Sequence, residues 1–418
     1  MLYWVCRHMI RQRADLTYKY NRDKGRHGWI RLTPAYSIKV VRRFLADATR
    51  ADRVLDPFSG TGTTGLVCGE LGIDCTLLEL NPFLVWLAEV KARNYHVDVL
   101  VVASELVRRV VTTLAQTDLC AEVWVPPIRF IERWWSPRRL QILAHVFAQI
   151  QSLAATAPSV SLDLLRVAFC RLVIEWSNAA FNHQSMSFKD GAQLYLFEQD
   201  ERALMLHAFQ RLATDIIQSA GSPVAKVPVV VEGDARNVGE LVPGLYTRVI
   251  TSPPYPNRMS YIRELRPYMY WLGFLTEARQ AGLLDWEAIG GTWGIATSRV
   301  ARWMPTGPPI EHEGFSAMLD AIAASKNKNS VLLANYVHRY FEDMRTHLMC
   351  LREVLAPGAQ IVYVVGNSKF YDTLVPVEQI FASLMRGCGF ASPRIEQLRK
   401  RNSKKELYEY AVIATVGA

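Results

Sequence analysis

The sequence has no paired-cysteine motif and no long apolar run, and its first residues do not resemble a secretion signal. Its seven cysteines are scattered over 418 residues without a CxxC pair, which argues against a disulfide framework and a zinc site. No run of about 18 uncharged apolar residues occurs, so we expect no membrane span. The first residues lack a positive segment and a small-residue cleavage site, so no signal peptide is expected. A soluble cytoplasmic protein without a bound metal is the expectation.

Acidic residues are fewer than basic ones, 39 against 48, and the formal net charge is +9. Such a surplus favours an anionic partner such as nucleic acid, but many basic proteins bind none, so charge alone leaves both alternatives open. The chain is 50% hydrophobic and 21% charged, an ordinary globular composition. Its length predicts about two or three domains, or one enlarged domain with insertions.

A strand, a glycine turn and a helix are predicted in RVLDPFSGTGTTGLVCGELG, residues 53–72. The strand ends at Asp56, and Gly60 and Gly62 lie in the turn. The next predicted strand carries Glu79 about 20 residues beyond the turn, the spacing of nucleoside-binding units. The turn lacks the GKS or GKT of a phosphate-binding loop and the spacing of GxGxxG. A nucleoside triphosphate site is therefore disfavoured, and a dinucleotide site is a second choice.

Another predicted strand lies in TRVITSPPY, residues 247–255, and is followed directly by two prolines. Proline has no N–H for a sheet and holds the preceding residue extended, so we expect a stiff elbow at the end of a buried strand. It would present the hydroxyl of Ser252, the carbonyl of Pro253 and the ring of Tyr255 at fixed spacing. A planar base with an amino group needs such a set, namely two acceptors for the amine and a ring for stacking.

Other segments give weaker predictions. Residues 1–30 are basic and aromatic, which favours a flexible arm or a lid, and Thr33 is the expected cap of a helix that runs to about residue 48. Residues 96–225 are mainly helical, and residues 290–310 resemble a loop. The start of the helical block contains Trp134 and Trp135 among several arginines. These tryptophans suit base stacking or, more often, a protein core.

The ordered motifs DPFSGTGTT, LLELNP, EGDA and TSPPY, preceded by TPAYSIKVVRRFL, resemble S-adenosylmethionine-dependent DNA amino-methyltransferases. The matching segments cover roughly half the chain, namely 27–95, 227–275 and 335–418. The resemblance implies an α/β fold with a Rossmann-like class I methyltransferase sheet, mostly parallel, with an antiparallel carboxyl-terminal strand and a helical insertion. The implied regions are 1–95 (amino-terminal arm and first half of the methyltransferase domain), 96–225 (helical insertion, candidate target recognition), 226–275 (core with EGDA and TSPPY), 276–330 (loop-rich insertion, candidate DNA contact) and 331–418 (carboxyl-terminal half).

The resemblance also assigns roles by matching position. Glu79 would bind the ribose hydroxyls of S-adenosyl-L-methionine, Asp234 and the backbone of Ala235 would read its adenine, and residues 33–36 would close over its methionine part. The implied catalytic residues are Ser252, Pro253, Pro254 and Tyr255. The implied cofactor-binding residues are Thr33, Pro34, Ala35, Tyr36, Asp56, Pro57, Phe58, Gly60, Gly62, Thr63, Glu79, Asn81, Asp234 and Ala235. Candidate nucleic-acid contacts are Arg258, Arg263, Arg299 and Arg302.

The implied activity is site-specific methylation of double-stranded DNA by direct in-line attack of the exocyclic amine of a flipped base. In the family, enzymes with serine at the position that matches Ser252 mostly methylate N4 of cytosine, whereas enzymes with aspartate or asparagine there mostly methylate N6 of adenine. Alternatives are an adenine-N6 enzyme, an RNA guanine-N2 enzyme and a non-catalytic DNA-binding subunit. Target recognition could lie in 100–225, in 256–330 or in both. A cognate restriction or defence partner and the oligomeric state stay open.

Overall fold

The computed structural model describes residues 12–32, 35–180, 187–188, 198–257, 259–401 and 406–417. Its α-helices are α1 Tyr18–Asn21, α2 Ile38–Phe44, α3 Thr63–Leu71, α4 Pro82–Ala92, α5 Val97–Gln116, α6 Pro137–Ser152, α7 Ser159–Glu175, α8 Glu198–Ala220, α9 Val238–Leu241, α10 Tyr261–Trp271, α11 Ala278–Glu287, α12 Ile295–Ala301, α13 Phe315–Ala323, α14 Ser330–Arg352 and α15 Val377–Gly387. Within these ranges no helix has both the length and the apolar character needed to cross a membrane.

The strands are β1 Arg53–Asp56, β2 Asp74–Glu79, β3 Ala179–Ala180, β4 Ser187–Phe188, β5 Val229–Glu232, β6 Tyr246–Thr251, β7 Leu355–Gly366, β8 Ser368–Phe370, β9 Thr373–Val375, β10 Phe390–Lys400 and β11 Tyr408–Val416. Seven of them form the main sheet in the order β10-β11-β7-β6-β1-β2-β5. The pairs from β7 to β5 are parallel, and β11 is antiparallel to both β7 and β10. The predicted Rossmann-like sheet with an antiparallel strand near the carboxyl end is confirmed.

Alternate residues of the strands pack on opposite faces of the sheet, as the two-residue period of a strand requires. Leu55 and Val249 face a core that includes α14 and α15, whereas Val54 and Ile250 face a core that includes α2 and α3. The result is a sheet between two helical layers. The carboxyl ends of β1, β2, β5 and β6 meet at one edge, and ligands of such sheets bind where the strand order reverses. Here that point lies between β1 and β6.

The helical insertion forms its own core, which α5 to α8 share with α4 and α10. Trp134 and Trp135 lie inside it with exposed fractions of 1% and 0%. The indole N–H of Trp135 donates to the carbonyl oxygen of Val173 at 2.9 Å. The structure therefore places both tryptophans in the core, and neither presents a free face for stacking a base.

Helix α2 begins later and ends earlier than the sequence predicts. It starts at Ile38, and the Ser37 hydroxyl caps it by accepting from the N–H of Lys39 at 3.1 Å. Tyr36 is extended and pairs with Thr17 in an isolated bridge. The cap predicted at Thr33 is therefore wrong, because a second capping hydroxyl four residues later fits the helix start. Residues 33–34 themselves lie outside the described ranges.

Parts of the amino-terminal segment pack against the rest of the protein, with Asn21, Arg26, His27, Trp29 and Ile30 buried, so these residues do not form the flexible arm that was one of the two predictions. Arg26 is buried, and its guanidinium donates to the carbonyl oxygens of Lys91 at 3.0 Å, Arg93 at 2.7 Å and Ala220 at 2.5 Å. These carbonyls lie at the carboxyl ends of α4 and α8, where helices lack internal donors and favour a positive charge. The loop predicted at 290–310 also contains a helix, α12.

Candidate active site

A cleft of about 970 Å³, including space open to solvent, lies at the carboxyl edge of the sheet. It brings together most of the residues predicted for the site: Ala35, Tyr36, Pro57, Phe58, Gly60, Thr63, Glu79, Asn81, Asp234, Ala235, Ser252 and Pro254. Its other walls include Ser59, Thr61, Leu80 and Gly233, which belong to the motifs but were not named as site residues, and Leu32, Leu84, Tyr261, Ile262, Ala288 and Ile289, which the motifs did not indicate. Asp56, Gly62, Pro253 and Tyr255 lie behind this lining.

Asp56 is fully buried at the end of β1 and acts as an anchor beneath the cleft. Its carboxylate accepts from the hydroxyls of Thr251 at 2.6 Å, Thr64 at 2.5 Å and Tyr36 at 3.2 Å, and from the N–H of Phe58 at 3.1 Å. Burial raises the pKa of Asp56, although these donors oppose the rise. Because Thr251 immediately precedes the Ser252 elbow, Asp56 ties the glycine turn to that elbow.

Glu79 ends β2 and faces the glycine turn. Its two carboxylate oxygens accept from the N–H of Gly60 at 2.8 Å and the N–H of Asn81 at 2.9 Å. Burial raises the pKa of Glu79 to about 7, while these backbone donors oppose the rise. Gly60 and Gly62 have φ of +52° and +75°, a conformation that favours glycine. The turn and the carboxylate therefore hold each other in place.

Asp234 follows β5 and is held by its neighbour Arg236. The guanidinium contacts both carboxylate oxygens of Asp234, at 2.5 to 3.1 Å, and also pairs with Asp343 at 2.8 Å. The adjacent carbonyl of Ala235 accepts from His347 Nδ1 at 2.7 Å. Burial lowers the pKa of His347 to about 4, so its ring is neutral at physiological pH. The turn after β5 is thus fixed from both sides.

The Ser252 elbow presents an oriented hydroxyl. Ser252 Oγ donates to the carbonyl oxygen of Val364 on β7 at 3.1 Å, and a weaker contact of 3.5 Å reaches the hydroxyl of Tyr255. Since a hydroxyl has one proton and two lone pairs, committing the proton to Val364 leaves the lone pairs as acceptors. Ser252 and Pro254 line the cleft, so this acceptor lies beside it.

Tyr255 is only 6% exposed, which differs from the open aromatic face that the sequence predicts. Its hydroxyl donates to Glu409 Oε1 on β11 at 3.0 Å. The guanidinium of Arg401 lies 5.0 Å from the centre of its ring, within the range of a cation–π contact. A base that stacks on this face has to displace Arg401.

Curated proteins that are similar to this chain are named Type II methyltransferases. The Type II methyltransferase M.BsoBI of Geobacillus stearothermophilus is 22% identical over 96% of this chain and 86% of its own length. The Type II methyltransferase M.AvaI of Anabaena variabilis is 21% identical over the same shares. The chain is similar to Type II methyltransferases along its length. A further relative, the Type II methyltransferase M.MjaII of Methanocaldococcus jannaschii, is 33% identical over 20% of this chain and 16% of its own length. No protein-family model and no solved structure matches the chain.

The four arginines predicted to contact nucleic acid differ in their placement around this cleft. Arg258 lies outside the described ranges, and Arg263 is half-buried on α10. Arg299 and Arg302 are exposed at the end of α12, and the guanidinium of Arg299 lies 5.3 Å from the ring centre of Trp286. Trp286 belongs to the segment that continues into Ala288 and Ile289 on the cleft wall.

Several polar residues around the cleft were not predicted. Arg236, His347 and Glu409 hold Asp234, Ala235 and Tyr255, and both His347 and Glu409 are buried. Lys91 is also buried, and its ammonium donates to the carbonyl of Thr61 in the glycine turn at 2.6 Å. A buried ionisable residue within an apolar strand or helix is the sequence signal that could have identified Glu409 and Lys91.

Proposed function

We propose that this protein is an S-adenosylmethionine-dependent methyltransferase that modifies the exocyclic N4 amine of cytosine in double-stranded DNA. The observation that carries the proposal is the shared cleft, because it places the acceptor Ser252 at the same sheet edge as Glu79 and Asp234. The names of the full-length relatives support methyl transfer. The family resemblance of the motifs supports DNA and, more narrowly, cytosine.

The polar groups of the cleft suit this cofactor. Glu79 and Asp234 are acceptors for the ribose hydroxyls and the adenine amine, and Phe58 gives an apolar surface beside them. Ser59 Oγ is buried in the wall and has no hydrogen-bond partner among the described residues. A buried polar atom of this kind is costly unless a ligand pairs with it. When bound, S-adenosylmethionine would supply a methyl group activated by a positively charged sulfur.

The base side of the cleft would orient the target amine. Ser252 Oγ, with its proton engaged by Val364, would accept one amine N–H, and the carbonyl of Pro253 would accept the other. These acceptors align the nitrogen lone pair, and this positioning is the main contribution that the residues make. Extruding a base from a duplex costs a few kcal/mol, and stacking on Tyr255 would offset about 1–3 kcal/mol of it.

A mass-spectrometric assay tests the proposal. Purified protein is incubated with plasmid DNA and S-adenosylmethionine, and the digested nucleosides are analysed. We expect N4-methylcytosine with the wild type and a loss of about 5- to 150-fold with Tyr255→Ala, which is the effect of losing about 1–3 kcal/mol of stacking. Tyr371→Ala, a tyrosine between β8 and β9, is the matched control.

The possible products separate the alternatives. N6-methyladenine would reject cytosine as the target but leave DNA methylation intact. Methylation of RNA and not of DNA would reject the substrate class. Binding of S-adenosylmethionine and DNA without any methyl transfer would favour a non-catalytic subunit. Sequencing of the methylated sites in host DNA then gives the base and its sequence context together.

A further inference from the structure

The strands β10 and β11 at the carboxyl end supply the groups that hold the hydroxyl of Tyr255. Glu409 on β11 is 3% exposed, and its Oε1 accepts from the hydroxyl of Tyr255 at 3.0 Å. The same carboxylate accepts from Arg399 on β10 through two N–H groups, at 2.8 and 2.9 Å. Such a two-point contact between guanidinium and carboxylate is strong and directional. The oxygen that holds Tyr255 is therefore itself fixed.

The backbone next to Glu409 makes room for the tyrosine ring. In the antiparallel pairing of β11 with β7, Glu409 lies opposite Gly366. A side-chain carbon added at Gly366 would come within 2.8 Å of the ring of Tyr255, closer than any normal contact. Gly366 thus lets the ring approach the sheet, and Glu409 fixes its outer end. Together with Arg401 over its face, these contacts restrict the position of the ring.

A tyrosine held only by stacking would be free to tilt when a base arrives. Tyr255 follows two prolines in a loop, and of the contacts to its side chain the bond to Glu409 is a strong charge-assisted one. The ring also lies beside Ser252, whose hydroxyl approaches the tyrosine hydroxyl at 3.5 Å. Movement of the ring would therefore disturb both the stacking surface and the acceptor for the amine.

We propose that Glu409 is a positioning residue for methyl transfer, which acts by fixing the hydroxyl of Tyr255 so that the ring and Ser252 present one geometry to the target base. This inference rests on the proposed function, since it concerns the same site. Glu409 is not among the residues that line the cleft, so we expect it to contact neither cofactor nor base. Its effect should therefore fall on the rate of transfer, and the affinity for the cofactor should not change.

A double-mutant cycle with Glu409→Gln and Tyr255→Phe tests this role. Each variant should slow single-turnover transfer of a labelled methyl group to plasmid DNA about tenfold, and the double variant should also be about tenfold slower because both changes remove the same charge-assisted hydrogen bond. The dissociation constant for S-adenosylhomocysteine should stay within about twofold of the wild type. Glu406→Gln removes an exposed carboxylate three residues earlier and should leave the rate unchanged.

Three outcomes would contradict the positioning role in an active wild type. These are a wild-type rate in Glu409→Gln, a roughly hundredfold loss in the double variant, and a cofactor affinity that falls in step with the rate. If Glu409→Gln fails to fold, Tyr255→Phe alone tests the proposal, because it keeps the ring and the pair between Glu409 and Arg399. A wild-type rate in Tyr255→Phe would then overturn the proposal. A wild type that transfers no methyl group to DNA would instead reject the proposed function, and this inference with it.

Discussion

The two halves of the cleft differ in the origin of the groups that hold their polar side chains. On the side proposed for the cofactor, the carboxylates are held by nearby backbone: Asp56 by Phe58, Glu79 by Asn81, and Asp234 by Arg236, each two residues along the chain. On the base side, Ser252 is held by Val364 and Tyr255 by Glu409, at separations of 112 and 154 residues. The cofactor half is built locally, and the base half depends on strand pairing.

This difference has a consequence for how each half responds to change. A locally held carboxylate keeps its geometry as long as its own turn is intact. The base half stays in place only while β7 and β11 remain paired beside β6. There are two exceptions: the turn after β5, which also contacts Asp343 and His347 on α14, and Asp56, whose carboxylate also accepts from Thr251 on β6. Asp56 therefore connects the two halves, and its removal gives the largest expected effect.

Asp56→Ala should abolish methyl transfer and lower the free energy of unfolding by about 3 kcal/mol or more, because buried hydroxyl and N–H donors lose their acceptor. Urea unfolding and the labelled-methyl assay measure the two effects. Asp74→Ala is the matched control, since it removes a partly exposed carboxylate at the start of the neighbouring strand and should cost less than about 1 kcal/mol. A stable, active Asp56→Ala protein would disprove the link between the halves.

Glu79→Gln tests the cofactor half through its pH dependence. The pKa of Glu79 is raised to about 7 by burial, and the carboxylate is the better acceptor for ribose hydroxyls. Affinity for S-adenosylhomocysteine, measured by calorimetry, should therefore fall about tenfold from pH 8 to pH 6. In Glu79→Gln it should be weaker and nearly independent of pH. An unchanged dependence in the variant would assign the titration to another group.

The carboxyl of Glu79 should also make protein stability depend on pH, in the direction opposite to cofactor affinity. Because the pKa of Glu79 in the folded protein lies above its ordinary value of 4.5, the folded state binds more protons than the unfolded state between pH 4.5 and 7. The free energy of unfolding should consequently decrease as pH rises through this window, and Glu79→Gln should remove that part of the decrease. Cofactor affinity and stability thus move in opposite directions with pH.

The sequence predicts the locally held parts of the site better than the parts that depend on strand pairing. Strand ends, turn glycines and prolines have local physical causes, so the sheet, the glycine turn and the Ser252 elbow were predictable. Glu409 was not, because its role depends on the register that places it opposite Gly366. The helix cap was misassigned to Thr33, since Ser37 offers the same hydroxyl closer to the true start. Whether a tryptophan such as Trp134 is core or surface is decided by packing partners that lie far away in the chain.

The weakest expected effect concerns the exposed arginines of the loop-rich insertion. If Arg299 and Arg302 contact DNA phosphates, replacing both with alanine should lower DNA affinity about tenfold at low salt and reduce the slope of log affinity against log salt by about two. Arg386→Ala on α15 removes an exposed arginine and should alter neither quantity. An unchanged salt slope in the double variant would place the phosphate contacts elsewhere. Arg299 packs on Trp286, and the carbonyl of the next residue, Glu287, accepts from the Arg236 that holds Asp234, so the result also tests whether DNA reaches this side of the cleft.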